Sequence, residues 1–159
     1  FLELQEKGAR NIDLITATHF LPSILPVLDK VKPYLHIPVV YNCGGYERVE
    51  TLRMLEGYVD VYLPDLKYFS SEVSKRYSAA PDYFQYASEA VQEMIRQCGE
   101  TVFDRDGMLV RGVLIRHMVL PGQKEDSIRL LHWMKEICLK KVLISLMSST
   151  HPFPGERVP

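Results

Sequence analysis

Hydrophobic positions along this chain fall at two periods in turn, an alternating one that marks strands and a three-to-four-residue one that marks helices. Phe1 to Lys7 has apolar residues at 1, 2 and 4 and stops at Gly8, which predicts a short opening helix. Asn11 to Ile15 alternates into Thr16, a first strand. Leu21, Ile24, Leu25, Leu28 and Val31 share a helical face, with Pro22 suited to the first turn and Pro26 awkward inside it. Ile37 to Tyr41 is a short β-branched run broken by Gly44 and Gly45, a second strand, and Val49 to Leu55 a short helix ending at Gly57. Val59 to Leu63 reads as a third strand stopped by Pro64 and Asp65.

The second half continues the rhythm with one exception. Ser70 is placed to cap a helix over Glu72 to Tyr77, and a longer helix after Pro81 and Asp82 runs to about Cys98. Its apolar face is Ala87, Ala90, Val91, Met94 and Ile95, and Gly99 ends it. Val102-Phe103 and Met108 to Val110 flank Asp104 to Gly107, whose Asp-Gly step signals a β-hairpin. Val113 to Leu120 is a fourth strand, Ser127 to Ile137 a helix, and Val142 to Met147 a fifth strand. Strands alternating with helices predict an α/β domain with a parallel sheet and helical crossovers, with no linker and no second domain. Five strands do not close an eight-stranded barrel and would suffice for an open doubly wound sheet, so the pattern leaves that choice open.

Composition narrows the function. The chain has 159 residues, 47% of them hydrophobic, enough for one real core. A formal charge of -1 offers no basic field for nucleic acid. No run approaches the roughly 18 apolar residues of a membrane helix, so neither nucleic acid nor membrane is an expected partner. Cys43, Cys98 and Cys138 are odd in number and too widely spaced for a short metal-ligand motif, which suits a reducing, cytoplasmic setting. An opening helix that starts at Phe1 and a close at GERVP just after a strand suggest a fragment.

Each apolar run stops at a polar cluster, and a parallel array puts those ends on one edge. Asp65 and Lys67, two apart, leave the same face of an extended segment and offer one acceptor and one cation; equally, Asp65 caps a turn and Lys67 is solvated. Thr16 and Thr18 share a face if the first strand continues, to bind a ligand or to satisfy loop backbone, while His19 points away or begins the next helix. Asn42, followed by Cys43, Gly44 and Gly45, is a strand end open to close backbone approach or simply a tight turn, with Cys43 as a small buried hydrophobe. Arg116 and His117 point to opposite faces. Arg116 is the better candidate for the pocket, where a guanidinium requires an anionic partner, ligand or structural carboxylate. His151 stands at the last strand end.

Together these segments resemble a known family. TATHF after the first strand, VVYNCGGYE at the second, YLPDLKY at the third and RGVLIRHMVLPG at the fourth look like radical S-adenosylmethionine (SAM) proteins of the pyruvate formate-lyase activating enzyme type. The resemblance implies a partial TIM-like (β/α) barrel holding a 4Fe-4S cluster and S-adenosylmethionine at its strand ends. Cluster reduction of the sulfonium would give a 5′-deoxyadenosyl radical that abstracts hydrogen from a substrate, a glycyl-radical protein by analogy, with flavodoxin or ferredoxin as electron donor. Asp65 and Lys67 match the family's Asp-x-Lys element, which contacts the methionyl part of the cofactor. Arg116 matches the arginine before Val-x-Pro-Gly, and Thr16, Thr18 and Asn42 occupy strand ends where further cofactor contacts are expected.

There are departures. The cluster-binding Cys-x-x-x-Cys-x-x-Cys is absent, and the resemblance places it upstream of Phe1, making residues 1–159 the central and C-terminal part of one barrel domain, inactive by itself. Ala17 and Cys43-Gly44 replace a proline and a Thr-Ser pair of the family pattern, and the tail from Ser149 departs further. Two other readings stand beside this one: an aldolase-like barrel with Lys67 as Schiff-base nucleophile, and a non-catalytic binding module.

Overall fold

A computed structural model describes residues 1–138 and 142–148 of the chain. Its strands are β1 (Ile12–Ile15), β2 (Val39–Cys43), β3 (Val61–Pro64), β4 (Val102–Phe103), β5 (Leu109–Val119) and β6 (Leu143–Ser148). Its helices are α1 (Leu2–Glu6), α2 (Leu21–Val31), α3 (Val49–Arg53), α4 (Ser71–Ser78), α5 (Tyr83–Cys98) and α6 (Lys124–Cys138). The expectations for His151 and for the tail from Ser149 lie outside the described residues.

Five strands run parallel in the order β1-β2-β3-β5-β6, and β4 lies antiparallel on the start of β5. Among the described residues spatial order follows chain order, without the reversal that marks a doubly wound sheet. Among the described residues the sheet is open. The expected hairpin forms, with Asp104 turning the chain by accepting the backbone N–H groups of Asp106 and Met108. Its second arm and the predicted fourth strand are one continuous strand, β5, which pairs with β4 through a register shift at Val110 and then runs on beside β3.

Two strand boundaries moved for local reasons. Pro38 has no N–H to give a ladder, and β2 starts at Val39, whose N–H is taken by the Asp60 carboxylate at 2.8 Å. β2 then runs on to Cys43, which puts Asn42 inside the strand. The first strand stops at Ile15. Thr16 adopts a left-handed backbone with φ 50°, and a 3-10 turn over Ala17–Phe20 follows. The strand continuation that would put Thr16 and Thr18 on one face does not occur.

Period-two alternation sorts the sheet into two faces. Ile12, Leu14, Val39, Tyr41, Cys43, Tyr62, Val113 and Ile115 join Leu21, Leu28, Leu52, Ala87, Val91, Met94, Leu130 and Met134 of the helices in one buried core. The opposite face carries Ile15, Asn42, Leu63, Asp65, Arg116, Met118 and Met147 by register, and Ile15 there is 67% exposed. On that second face Val40 and Val61, near the strand starts, are buried, and exposure grows toward the carboxyl edge, where Ile15, Met118 and Met147 meet solvent. No described helix is long and apolar enough to cross a membrane.

Candidate functional site

Three adjacent strands bring Asn42, Asp65 and Arg116 together on the open face. Arg116 on β5 pairs in register with Asp65, just past the end of β3. Its Nη2 donates to Asp65 Oδ1 at 2.8 Å and reaches across β3 to Asn42 Oδ1 on β2 at 2.6 Å. Lys67 Nζ stands 3.9 Å from Asp65 Oδ2, so the two-residue spacing does put both side chains on one side. One carboxylate between two cations leaves the cluster with a positive charge that the described residues do not match. Arg116 Nε is buried and has no hydrogen-bond partner, a donor left over after the pairing with Asp65 and Asn42.

A hollow of ≈ 160 Å³ opens beside these groups, with Asp65, Lys67 and Arg116 as its polar wall and Tyr68, Met118, Leu120 and Met147 as its apolar wall. Small-molecule pockets usually measure about 300–1,000 Å³. The hollow therefore has room for no more than an amino-acid-sized group.

The loop after β3 is held from three sides. The Tyr83 hydroxyl, buried at the start of α5, is 2.9 Å from the carbonyls of Gly44 and Asp65, either of which can take its proton, and accepts the Lys67 N–H at 3.1 Å. Burial pushes its phenol pKa well up, so it stays a donor. His117 is 2% exposed and faces the helices, as the alternation beside Arg116 requires. Its Nδ1 lies 2.7 Å from the Leu66 carbonyl, which can only accept, so Nδ1 carries the proton and Nε2, 2.9 Å from Ser127 Oγ, accepts that hydroxyl in the neutral ring. The Asp126 carboxylate takes the N–H groups of Phe69 and Ser70 at 2.8 Å each.

The β2 and β3 loops touch. Gly45 has φ +78°, and a Cβ there would lie 2.1 Å from the Asp65 carbonyl oxygen. Only glycine permits that approach.

The other expected residues go elsewhere. Thr18 points to the helix side, where its hydroxyl is 2.8 Å from Tyr41 Oη and donates to Glu47 at 2.9 Å. Thr16 is exposed and contributes its backbone N–H to the Asn42 carbonyl at 2.9 Å. His19 is exposed in the turn. Cys43 faces the core, and burial pushes its thiol up to about 12; Cys98 is likewise pushed to about 11. These two sit at opposite strand ends, Cys98 donating to the Asp60 carbonyl ahead of β3, and no three metal-ligating side chains gather among the described residues.

Sequence reasoning missed Glu47, 8% exposed, whose carboxyl is raised by burial against the opposing effect of the Thr18 hydrogen bond. It also missed Tyr83 and the methionine wall of the hollow. Methionines at 118 and 147 become a wall only through the Met118–Met147 register of β5 with β6, which no local pattern encodes.

No protein-family model matches the chain. The chain is similar to an uncharacterized protein of Methanocaldococcus jannaschii, 35% identical over 105 residues that cover 64% of this chain and 26% of that protein. The chain thus matches about a quarter of that relative's length.

Proposed function

We propose that the hollow beside Asp65 and Arg116 binds the methionyl end of S-adenosylmethionine, that the open sheet is an arc of a TIM-like (β/α) barrel, and that the protein is a radical SAM protein of the pyruvate formate-lyase activating enzyme type. The observation that carries this reading is the convergence of Asn42, Asp65, Lys67 and Arg116 from successive strand ends beside one amphoteric hollow.

The donor set fits that end of the cofactor. Arg116 and Lys67 suit an α-carboxylate, the Asp65 carboxylate suits an α-ammonium, and the methionine and leucine wall suits the aliphatic chain near sulfur. The unpartnered Arg116 Nε is a donor in want of an acceptor. When bound, S-adenosylmethionine supplies a sulfonium carbon–sulfur bond for reductive cleavage. This chain's residues hold and orient it: Asp65 sets Arg116, and the loop contacts of Tyr83, His117 and Asp126 set Asp65 and Lys67.

The described residues do not fit a 4Fe-4S cluster, since Cys43 and Cys98 are buried and lie at opposite strand ends. No step is assigned through a cluster. A glycyl-radical protein substrate, a flavodoxin or ferredoxin donor and a cytoplasmic setting belong to the same proposal.

Two measurements test it. Calorimetric titration of S-adenosylmethionine into this chain should show binding that Arg116→Ala abolishes. The full-length gene product, reconstituted anaerobically with iron and sulfide, should release 5′-deoxyadenosine under reductant; neither binding nor product rejects the reading. The aldolase alternative is disfavoured by geometry, since the Lys67 side chain is 45% exposed and ion-paired to Asp65 at 3.9 Å rather than enclosed in an apolar pocket. Borohydride trapping with carbonyl compounds should accordingly label nothing at Lys67.

A further inference from the structure

The loops that follow β2 and β3 meet beside the hollow, and one buried hydroxyl joins them in addition to the Asp65 N–H to Cys43 carbonyl hydrogen bond at 2.9 Å. Tyr83 Oη is within 2.9 Å of the Gly44 carbonyl on the first loop and of the Asp65 carbonyl on the second, and it accepts the N–H of Lys67 at 3.1 Å. One hydroxyl thereby addresses the backbone of both charged residues of the Asp65-x-Lys67 pair. Its ring also stacks on Tyr46 at 5.8 Å and meets Tyr68, an apolar wall of the hollow, edge to face at 5.3 Å.

We infer that Tyr83 is a positioning residue: its hydroxyl fixes the spacing between the Asn42 strand end and the Asp65–Lys67 segment and so sets the pocket's charges without touching a ligand. The hydroxyl does not line the hollow. The backbone it fixes is not otherwise indifferent to position, because Gly45 passes so close to Asp65 that the two loops move together or collide. A shift of Asp65 passes to Arg116 through their 2.8 Å contact and from there to Asn42. The backbone bonds Asp65 N–H to Cys43 and Leu66 N–H to Arg116, with the contacts from His117 and Asp126, hold the rest of the segment, and they leave the Asp65 carbonyl and the Lys67 N–H to Tyr83.

The ligand-binding arm of the test rests on the proposed S-adenosylmethionine site; a second arm needs no ligand. Tyr83→Phe keeps the ring and its stacking and deletes only the hydroxyl. In the ligand-free protein it should speed hydrogen exchange of the Lys67 amide at least tenfold and move the Arg116 Nε–H resonance, whereas Tyr86→Phe, one turn along the same helix, should do neither. In the ligand arm, Tyr83→Phe should weaken S-adenosylmethionine binding about tenfold, and its effect should shrink in a background carrying both Asp65→Asn and Lys67→Ala, because Tyr83 acts through the segment that bears both. A merely structural tyrosine would add its effect independently. Unchanged Lys67 exchange and Arg116 resonance in a folded Tyr83→Phe protein overturn the inference. Absence of binding by the wild-type chain rejects the cofactor reading alone, and the ligand-free arm still decides for or against Tyr83. Should Tyr83→Phe not fold, 3-fluorotyrosine at position 83 alters the hydroxyl's donor strength without removing it, and the same Lys67 and Arg116 signals must move.

Discussion

Arg116 donates to Asn42 at 2.6 Å across 74 positions of sequence, reaching over the strand that lies between them. The same guanidinium binds Asp65, so three strand ends are joined by one side chain. This link sets what each change in the site should do.

Arg116→Lys keeps the charge and loses the planar fork that meets two oxygens at once. Loss of charge-assisted hydrogen bonds should cost about 1.5–3 kcal/mol of ligand binding. The corresponding tenfold or greater rise in dissociation constant is measurable by titration calorimetry, with little change in thermal unfolding. Equal binding by wild type and Arg116→Lys would remove Arg116 from the site.

Gly45→Ala and Gly44→Ala should part company. A Cβ at Gly45 collides with the Asp65 carbonyl and demands a positive φ, whereas one at Gly44 meets only Lys67 Nζ at 3.9 Å. The first should lose more than about 2 kcal/mol of unfolding free energy, the class of loss that follows strain at a special backbone position. The second should stay within about 1 kcal/mol, the ordinary scale of a tolerated exchange. Urea unfolding of both variants reads the difference.

Glu47 imposes a pH dependence of definite sign. Burial raises its folded pKa above the unfolded value of 4.5, so its contribution to stability is fully present below that pH and is lost as pH rises through the folded pKa. Glu47→Gln keeps an acceptor for Thr18 and removes the titration. Compared with it, the wild-type protein should lose relative stability on going from pH 4 to pH 8; a constant difference across that range would refute the assignment.

Cys43 and Cys98 should resist alkylation in the folded chain. Their thiols are buried and pushed to about 12 and about 11, so little thiolate is present at pH 8. Peptide mapping after iodoacetamide should find both unmodified natively and both modified in urea. Rapid native labelling of Cys43 would mean that the end of β2 opens readily.

The alternation of strand and helix could be read along the chain because each period is local, and so could the Asp104–Gly107 turn and the Ser70 cap, whose Oγ takes the Val73 N–H at 3.4 Å. The opposite facing of Arg116 and His117 follows from the same period. The common face of Thr16 and Thr18 depended on the first strand continuing, and that condition fails where Thr16 turns left-handed and ends the strand. Glu47 and Tyr83 gave no local sign: one is buried by a hydroxyl 29 positions away, the other is tied to carbonyls 39 and 18 positions away. Contacts made at that range are decided by which strands become neighbours, and residue pattern carries that only once the sheet order is known.

Asp126 and His117 hold the Leu66–Ser70 backbone from segments synthesised some fifty residues after it. A chain folded only through α5 therefore holds the Asp65–Lys67 loop by Tyr83 and by the Asp65 N–H to Cys43 carbonyl hydrogen bond at 2.9 Å, and the remaining contacts form when β5 and α6 leave the ribosome. The setting of Lys67 is thus completed late in synthesis, by residues that follow it by some fifty positions.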